Sequence, residues 1–182
     1  SNELEFGNGT GIEPKNDLRR LKPFKPVPQP NNIKFFFIYH TPDKAYAVKT
    51  IWQYFLNGFK GEYSFPRMEE FISQPFELEK GQSISFDNID EAVEVVNQRI
   101  KDITLLPDTK YFAIYISPVS KLDRSLKRRS IYYRIKEILL YKDIASQVIW
   151  KENILKPNFG FSLPNIQVAI LAKLGGIPWR LK

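Results

Sequence analysis

The sequence contains no cysteine, and His40 is its single histidine. Without cysteine there can be no disulfide framework, no thiolate zinc site and no thiol nucleophile. A Ser-His-Asp arrangement would have to use His40, which ends an apolar run just before Thr41-Pro42 and is better interpreted as a capping or turn residue. Adjacent acids such as Glu69 and Glu70 lie in polar surroundings with no third ligand indicated, so the residues alone favour neither a metal site nor nuclease chemistry.

Long apolar runs are also missing, since none approaches the roughly 20 residues of a membrane-spanning helix. The first residues lack the charged-then-apolar pattern of a signal peptide. Hydrophobic residues make up 43% of the chain and aromatic residues 14%, enough for one well-packed core. We therefore expect a soluble, cytoplasmic protein with no membrane partner, and a monomer.

The positive charge of the chain is concentrated in one segment. The formal net charge is +7, and residues 121–136 contain seven basic residues against the single acid Asp123. Clustered lysine and arginine bind phosphates largely by releasing condensed counterions, so the segment favours a polyanionic partner. A solvated basic face of a helix is the alternative interpretation.

Residues 1–32 have the composition of an extended N-terminal arm. Gly7, Gly9 and Gly11 predict a flexible or turn-forming segment, with no strand expected before them and no helix after them. Four prolines that favour an extended linker follow: Pro23, Pro26, Pro28 and Pro30.

Residues 33–182 alternate between strand-like and helix-like patterns, which is typical of an α/β domain with a largely parallel sheet. The predicted strands are Ile33–Tyr39, Tyr111–Ile116 and Gln147–Trp150. The predicted helices are Asp43–Phe55, Ile89–Ile103, Lys127–Tyr141 and Pro164–Leu174. Residues 57–82, 117–126 and 151–161 are expected to be irregular. The pattern predicts a Rossmann-like parallel sheet flanked by helices, with the arm preceding it.

One candidate site lies on the helix predicted at Lys127–Tyr141. Tyr132 and Lys136 are four residues apart and project side by side, in line with Arg128. Lysine supplies charge, a tyrosine hydroxyl supplies hydrogen bonds and its ring can stack on a base, so the group suits a terminal phosphate. A half-buried core tyrosine beside a solvated lysine is the alternative.

Further candidates lie downstream in the chain. Asn165, Ala169 and Lys173 share one line of the last helix, and Gln147 begins a short strand. Ligand sites of parallel α/β sheets gather where strand ends, loops and helix termini converge. Gln147 could equally be a polar residue at a strand end, and Lys173 could simply complement the helix dipole.

The order of these residues along the chain resembles a known signature. The matching segments are Tyr132-Tyr133-Arg134-Ile135-Lys136, Ser146-Gln147-Val148, Asn165 and Ala172-Lys173-Leu174-Gly175-Gly176-Ile177-Pro178-Trp179. They resemble the ordered Tyr, Lys, Gln, Lys signature of the MID domain of Argonaute proteins. The resemblance covers residues 33–182, and residues 4–24 are similar to the linker that precedes MID in prokaryotic members.

The resemblance implies a role for each matching residue. Tyr132 would stack on the first base of a guide strand and contact its phosphate, while Lys136, Gln147 and Lys173 would bind the 5′-phosphate. Asn165 would contact the neighbouring nucleotide region. We expect Arg128, in line with Tyr132, to contact the nucleotide as well, and residues 118–126 to influence which first base is preferred.

The resemblance also implies partners. These are a single-stranded guide RNA or DNA with a 5′-phosphate and the PIWI domain of the same protein, which carries the family's nuclease and would lie outside this sequence. The chain would then be a binding module and not an enzyme. In many prokaryotic members a divalent cation such as Mg²⁺, bridged by the carboxylate at the end of PIWI, completes the site. Ala169 departs from eukaryotic relatives, which carry another phosphate-binding lysine there.

Two other interpretations stay open at this point. A Rossmann-like enzyme or binder could act on a mononucleotide or a phosphorylated metabolite, since fold alone does not fix function. The sequence offers that enzyme no glycine-rich loop between strand and helix, no cysteine and no histidine constellation. The domain could also be a scaffold that only docks a partner protein through its basic segment.

Overall fold

The computed structural model of the protein describes residues 2–28, 32–60 and 64–182. The strands are β1 (Leu4–Phe6), β2 (Gly9–Gly11), β3 (Asn32–His40), β4 (Glu77–Leu78), β5 (Ile84–Phe86), β6 (Thr109–Ser117), β7 (Ala145–Trp150) and β8 (Arg180–Leu181). The helices are α1 (Pro14–Leu21), α2 (Lys49–Asn57), α3 (Met68–Ile72), α4 (Ala92–Lys101), α5 (Leu126–Tyr141), α6 (Lys151–Ile154) and α7 (Leu163–Lys173). A π-helical stretch, Lys44–Val48, leads into α2.

The main sheet has five strands, all paired in parallel. β3 and β6 are central, β4 and β5 pair with successive stretches of β3, and β7 is the outer strand beside β6. Parallel strands require crossover connections, which helices supply here. The predicted Rossmann-like parallel sheet flanked by helices is confirmed.

The sheet separates two layers of core because side chains alternate along each strand. On β3, Phe35 and Phe37 face one layer with α2, α3 and α7, while Phe36 and Ile38 face the other with α4 and α5. All four side chains are fully buried. Burial on both faces explains why β3 appears in the sequence as a continuous apolar run instead of an alternating one.

The helices that carry the candidate site residues, α5 and α7, begin and end at residues that favour helix termini. Ser125 caps α5, its Oγ accepting a hydrogen bond from the Arg128 backbone N–H at 3.2 Å. Pro164 lies in the first turn of α7, where a missing N–H costs nothing. Gly175 follows the end of α7 with φ +98°, a conformation that favours glycine. No helix in the described residues is long and apolar enough to cross a membrane.

The prediction for the glycine segment of the arm is wrong. A strand precedes the glycines, β2 contains two of them, and α1 follows. β1 pairs antiparallel with β8 near the other end of the chain. Leu4, Phe6 and Leu18 are buried in the same core layer as α7, so burial of a few apolar side chains outweighs the glycine content. Pro30 lies outside the described residues.

Two segments expected to be irregular contain short elements. Residues 57–82 include α3 and β4, and residues 151–161 include α6 and the start of the 3₁₀ turn Phe159–Ser162. In α3, the buried side chains Met68, Phe71 and Ile72 lie at helical spacing, a signal too short to separate from its glycine- and proline-containing surroundings. Residues 61–63 lie outside the described part of the chain.

Candidate phosphate-binding site at the edge of the sheet

The predicted site residues converge on β7, the outer strand of the sheet. α5 precedes β7 in the chain and α7 follows it, and the two helices pack on opposite faces of the sheet. Long side chains at the margins of these helices can therefore meet beyond the edge of β7. Gln147, two residues from the start of the strand, is half-buried between them.

Lys136, Gln147 and Lys173 form one cluster at this edge. The Lys173 ammonium donates a hydrogen bond to Gln147 Oε1 at 2.7 Å. Gln147 Nε2 donates in turn to the backbone oxygen of Val148 at 3.0 Å, which fixes the amide orientation. Although Lys173 is partly exposed, loss of hydration lowers its pKa, and the nearby Lys136 ammonium lowers it further. The cluster concentrates positive charge, and both ammonium groups keep N–H donors for an anion.

The lowered pKa of Lys173 makes a prediction about stability. In the folded protein Lys173 binds its proton less tightly than an ordinary lysine with a pKa of 10.5. Stability of the ligand-free protein should therefore rise with pH between the lowered pKa and 10.5, where the unfolded chain binds more protons than the folded protein.

Lys136→Met removes the charge that repels the Lys173 ammonium, so it should raise the thermal midpoint of the ligand-free protein near pH 7. Calorimetric scans measure the midpoints of the wild type, of Lys136→Met and of the control Lys80→Met, which changes a lysine near the opposite edge of the sheet. A lower midpoint for Lys136→Met would contradict the prediction.

A cavity of about 490 Å³ lies next to the cluster, where β6 and β7 end and α5 begins. It is lined by Ser117, Val119, Ser120, Lys121, Arg128, Arg129, Tyr132, Tyr133, Val148 and Trp150. The Tyr132 ring lies 5.8 Å from the Trp150 ring and 4.9 Å from the Tyr133 ring, centroid to centroid. Tyr132 is about one turn of α5 from Lys136, so an aromatic cavity adjoins the lysine cluster.

The remaining predicted residues have partners of their own. Arg128 lines the cavity, but its guanidinium also pairs with the Asp90 carboxylate at 3.6 Å. Asn165 accepts a hydrogen bond from Lys15 of α1 at 2.8 Å. It lies eight residues from Lys173 on the same helix, about 12 Å along its axis. The structure thus unites four of the predicted residues around the cluster and cavity, keeps Arg128 at their margin and leaves Asn165 beside the arm.

Sequence reasoning missed two features of the cavity wall. The Trp150 ring packs at a tilt of 55° against the Tyr132 ring, and the Lys121 ammonium lies 5.3 Å from the centre of the Trp150 ring. A tryptophan at the end of a predicted strand was the available signal for the first feature. The second depends on how residues 118–125 fold back over the sheet, which no local pattern shows.

An ion pair at the end of β7, with a buried carboxylate and a half-buried lysine, was also missed. Asp43 is fully buried, and its Oδ1 accepts from Tyr46 at 2.7 Å and pairs with the Lys151 ammonium at 2.9 Å. Hydrogen bonds to Tyr46 and Asp43 raise the pKa of Lys151, which favours the charged ammonium. The contact ties the end of β7, next to Trp150, to the segment that follows β3. In the sequence Asp43 resembles an ordinary residue at the start of a helix.

His40 has local partners at the end of β3. Its Nε2 is 3.0 Å from the backbone oxygen of Asp87, and its ring stacks on Phe86. Within the described residues no three histidine, aspartate or glutamate side chains are grouped to hold a metal. The cluster itself offers two ammonium groups and an amide oxygen that Lys173 already occupies. These residues do not fit a divalent cation by themselves.

No family model matches the sequence. It is 28% identical over 123 residues to the Argonaute protein of Aquifex aeolicus, covering 64% of this chain and 17% of that protein. The fold matches the structure of Clostridium butyricum Argonaute bound to a guide DNA and a 19-mer target DNA, with a TM-score of 0.64, 20% identity, and coverage of 100% of this chain and 24% of the other. The crystal structure of A. aeolicus Argonaute matches with a TM-score of 0.60, 18% identity, and coverage of 100% and 23%. The chain is thus similar to these Argonaute proteins in sequence and in fold, and it spans between 17% and 24% of their length.

Proposed function

We propose that the chain binds the 5′-phosphorylated end of a guide nucleic acid and anchors it for recognition of a target strand. The observation that carries the proposal is the cluster of Lys136, Gln147 and Lys173 at the free edge of β7. The similar C. butyricum Argonaute was solved with a guide DNA and a target DNA, which supports a nucleic-acid partner.

A terminal phosphate matches the electrostatics of the cluster. Lys136 and Lys173 repel each other in the ligand-free protein, and Lys173 has lost part of its hydration. A terminal phosphate carries about −1.5 to −2 charges near pH 7 and has three strong acceptor oxygens. Its binding replaces a repulsion by two charge-assisted interactions, which are roughly twice as strong as neutral hydrogen bonds.

The neighbouring cavity suits the first base of the strand. Tyr132 and Trp150 present aromatic surface, and Arg128 and Lys121 add positive charge at the rim. Stacking on an aromatic side chain contributes about 1–3 kcal/mol per base and tolerates any base. Discrimination between bases would then depend on the polar groups of residues 118–126, as predicted from the sequence.

The proposal assigns this chain binding and positioning, and it assigns no catalytic step. Cleavage would be supplied by a PIWI domain of the same protein, acting in the cytoplasm, and the binding unit would be a monomer. Asn165 would reach the adjoining nucleotide only by exchanging its bond to Lys15. A divalent cation would be held by phosphate oxygens together with the carboxylate at the end of the PIWI domain.

The test is a titration of short single strands that differ only at the 5′ end. A 5′-phosphorylated oligonucleotide should bind more tightly than the same oligonucleotide with a 5′-hydroxyl, because the two lysines would otherwise face an empty anion site. RNA and DNA versions compare the two kinds of guide, and a nucleoside monophosphate measures the share of the end alone. Equal affinity for the two ends would contradict the proposal.

A further inference from the structure

A second cavity, of about 330 Å³, begins on the far side of Lys173. It lies where β6 and β7 start, and its walls come from the chain before β6, the turn after α5 and the end of α7. The lining residues are Leu105, Leu106, Thr109, Lys110, Tyr111, Lys142, Asp143, Ile144, Ala145, Lys173 and Leu174. Lys173 therefore belongs both to the phosphate cluster and to this cavity.

Three of the lining side chains are lysines with donors to spare. Lys110 Nζ donates to the backbone oxygen of Leu174 at 2.6 Å, which leaves two of its three N–H groups. Lys173 uses one donor on Gln147. Lys142 is half-buried and makes no ion pair within the part of the chain that the structure describes. Among the described residues of the lining, the exposed Asp143 is the one acid, so positive charge prevails there.

The two cavities and the lysine cluster lie in a fixed order along β7. The aromatic cavity lies at Trp150, the phosphate cluster at Gln147 and the second cavity at Ala145. At about 3.3 Å per residue, the last two are about 7 Å apart along the strand. A nucleotide with its base at Trp150 and its 5′-phosphate at Gln147 would direct any further phosphates on that end toward Lys142 and Lys110.

We propose, on the basis of the function proposed above, that this cavity holds the outer phosphates of a nucleoside 5′-polyphosphate. The α-phosphate would be held by Lys136, Gln147 and Lys173, and the outer phosphates by Lys110 and Lys142. The ligand is then the 5′-triphosphorylated end of a strand or a free nucleoside triphosphate, which present the same chemistry. A chain with this cavity accepts strand ends that keep the triphosphate of their first nucleotide.

The experiment compares one oligonucleotide with a 5′-hydroxyl, a 5′-phosphate and a 5′-triphosphate. The wild-type chain should bind the triphosphate more tightly than the monophosphate by about fivefold, the effect of one good partly exposed ion pair. Lys142→Gln should reduce this difference, because only Lys110 then faces the outer phosphates, and it should leave the monophosphate affinity unchanged, while Lys142→Arg should restore the difference. Lys80→Gln, the same charge change near the opposite edge of the sheet, should affect neither affinity.

The possible results separate the two proposals. A triphosphate that binds no better than the monophosphate, or an advantage that Lys142→Gln leaves undiminished, overturns the cavity assignment alone while the preference for phosphate over hydroxyl persists. Loss of that preference in the wild-type chain would instead refute the guide-end function. A nucleoside triphosphate of the same first base distinguishes the two sources, since a strand end should bind more tightly through its further nucleotides.

Discussion

Lys173→Ala is expected to weaken binding of a 5′-phosphorylated strand by about 1.5–3 kcal/mol, the contribution of a hydrogen bond to a charged group. Lys173 is held toward the edge of β7 by Gln147, so its ammonium is already oriented for an incoming anion. Lys136→Ala should have a similar effect from the other helix. Fluorescence anisotropy with a labelled oligonucleotide at fixed salt measures the loss.

The matched control is Lys80→Ala, which removes the same charge from an exposed site near the other edge of the sheet. It should leave the affinity nearly unchanged, apart from a small long-range effect that salt suppresses. Thermal unfolding of each variant shows whether the fold survives. If Lys173→Ala lost its fold, the lysine would have a structural role instead. If the folded variant bound as tightly as the wild type, Lys173 would not contribute to binding of the phosphate.

Tyr132→Ala is expected to reduce the affinity by about 1–3 kcal/mol through loss of one stacked base, and additionally through loss of its hydroxyl contact. Tyr132→Phe keeps the ring beside Trp150 and should keep the stacking contribution. Comparison of the two variants therefore separates the contribution of the ring to the affinity from that of the hydroxyl. The measurement is again anisotropy, with oligonucleotides that differ in their first base.

Tyr132 also packs against the core layer beneath α5, so Tyr132→Ala should lower the thermal midpoint. Binding is therefore measured well below the midpoint of each variant. Tyr141→Ala serves as control, because Tyr141 ends the same helix and is 89% exposed. If Tyr132→Phe bound as poorly as Tyr132→Ala, the ring would not be the platform for the base.

The parts of the fold that were predictable are those in which burial leaves a strong local pattern. β3 and β6 are apolar runs because both of their faces are covered, and α5 shows Ile131, Ile135 and Leu139 at helical spacing. The arm was not predictable, because β1 is three residues long and is stabilised by pairing with β8, at the other end of the chain. Contacts between residues so far apart in sequence leave no periodic signal.

The candidate site was predictable only in part for the same reason. Helical spacing alone places Tyr132 next to Lys136. The contact between Lys173 and Gln147 depends on how α7 packs against β7, and only the ordered resemblance to the MID signature joined these residues in advance. Neither source indicated Trp150 as a wall of the cavity.

The most direct test of the proposed function varies the 5′ end of the strand and the lysine cluster in the same set of measurements. The affinities of the wild-type chain and a Lys136→Ala/Lys173→Ala variant are measured for the same oligonucleotide with a 5′-phosphate and with a 5′-hydroxyl. Such a cycle isolates the interaction between the cluster and the phosphate from changes that affect both strands equally. The account predicts that the wild-type chain prefers the phosphate and that the variant does not. A preference of equal size in both proteins would show that the phosphate is bound elsewhere.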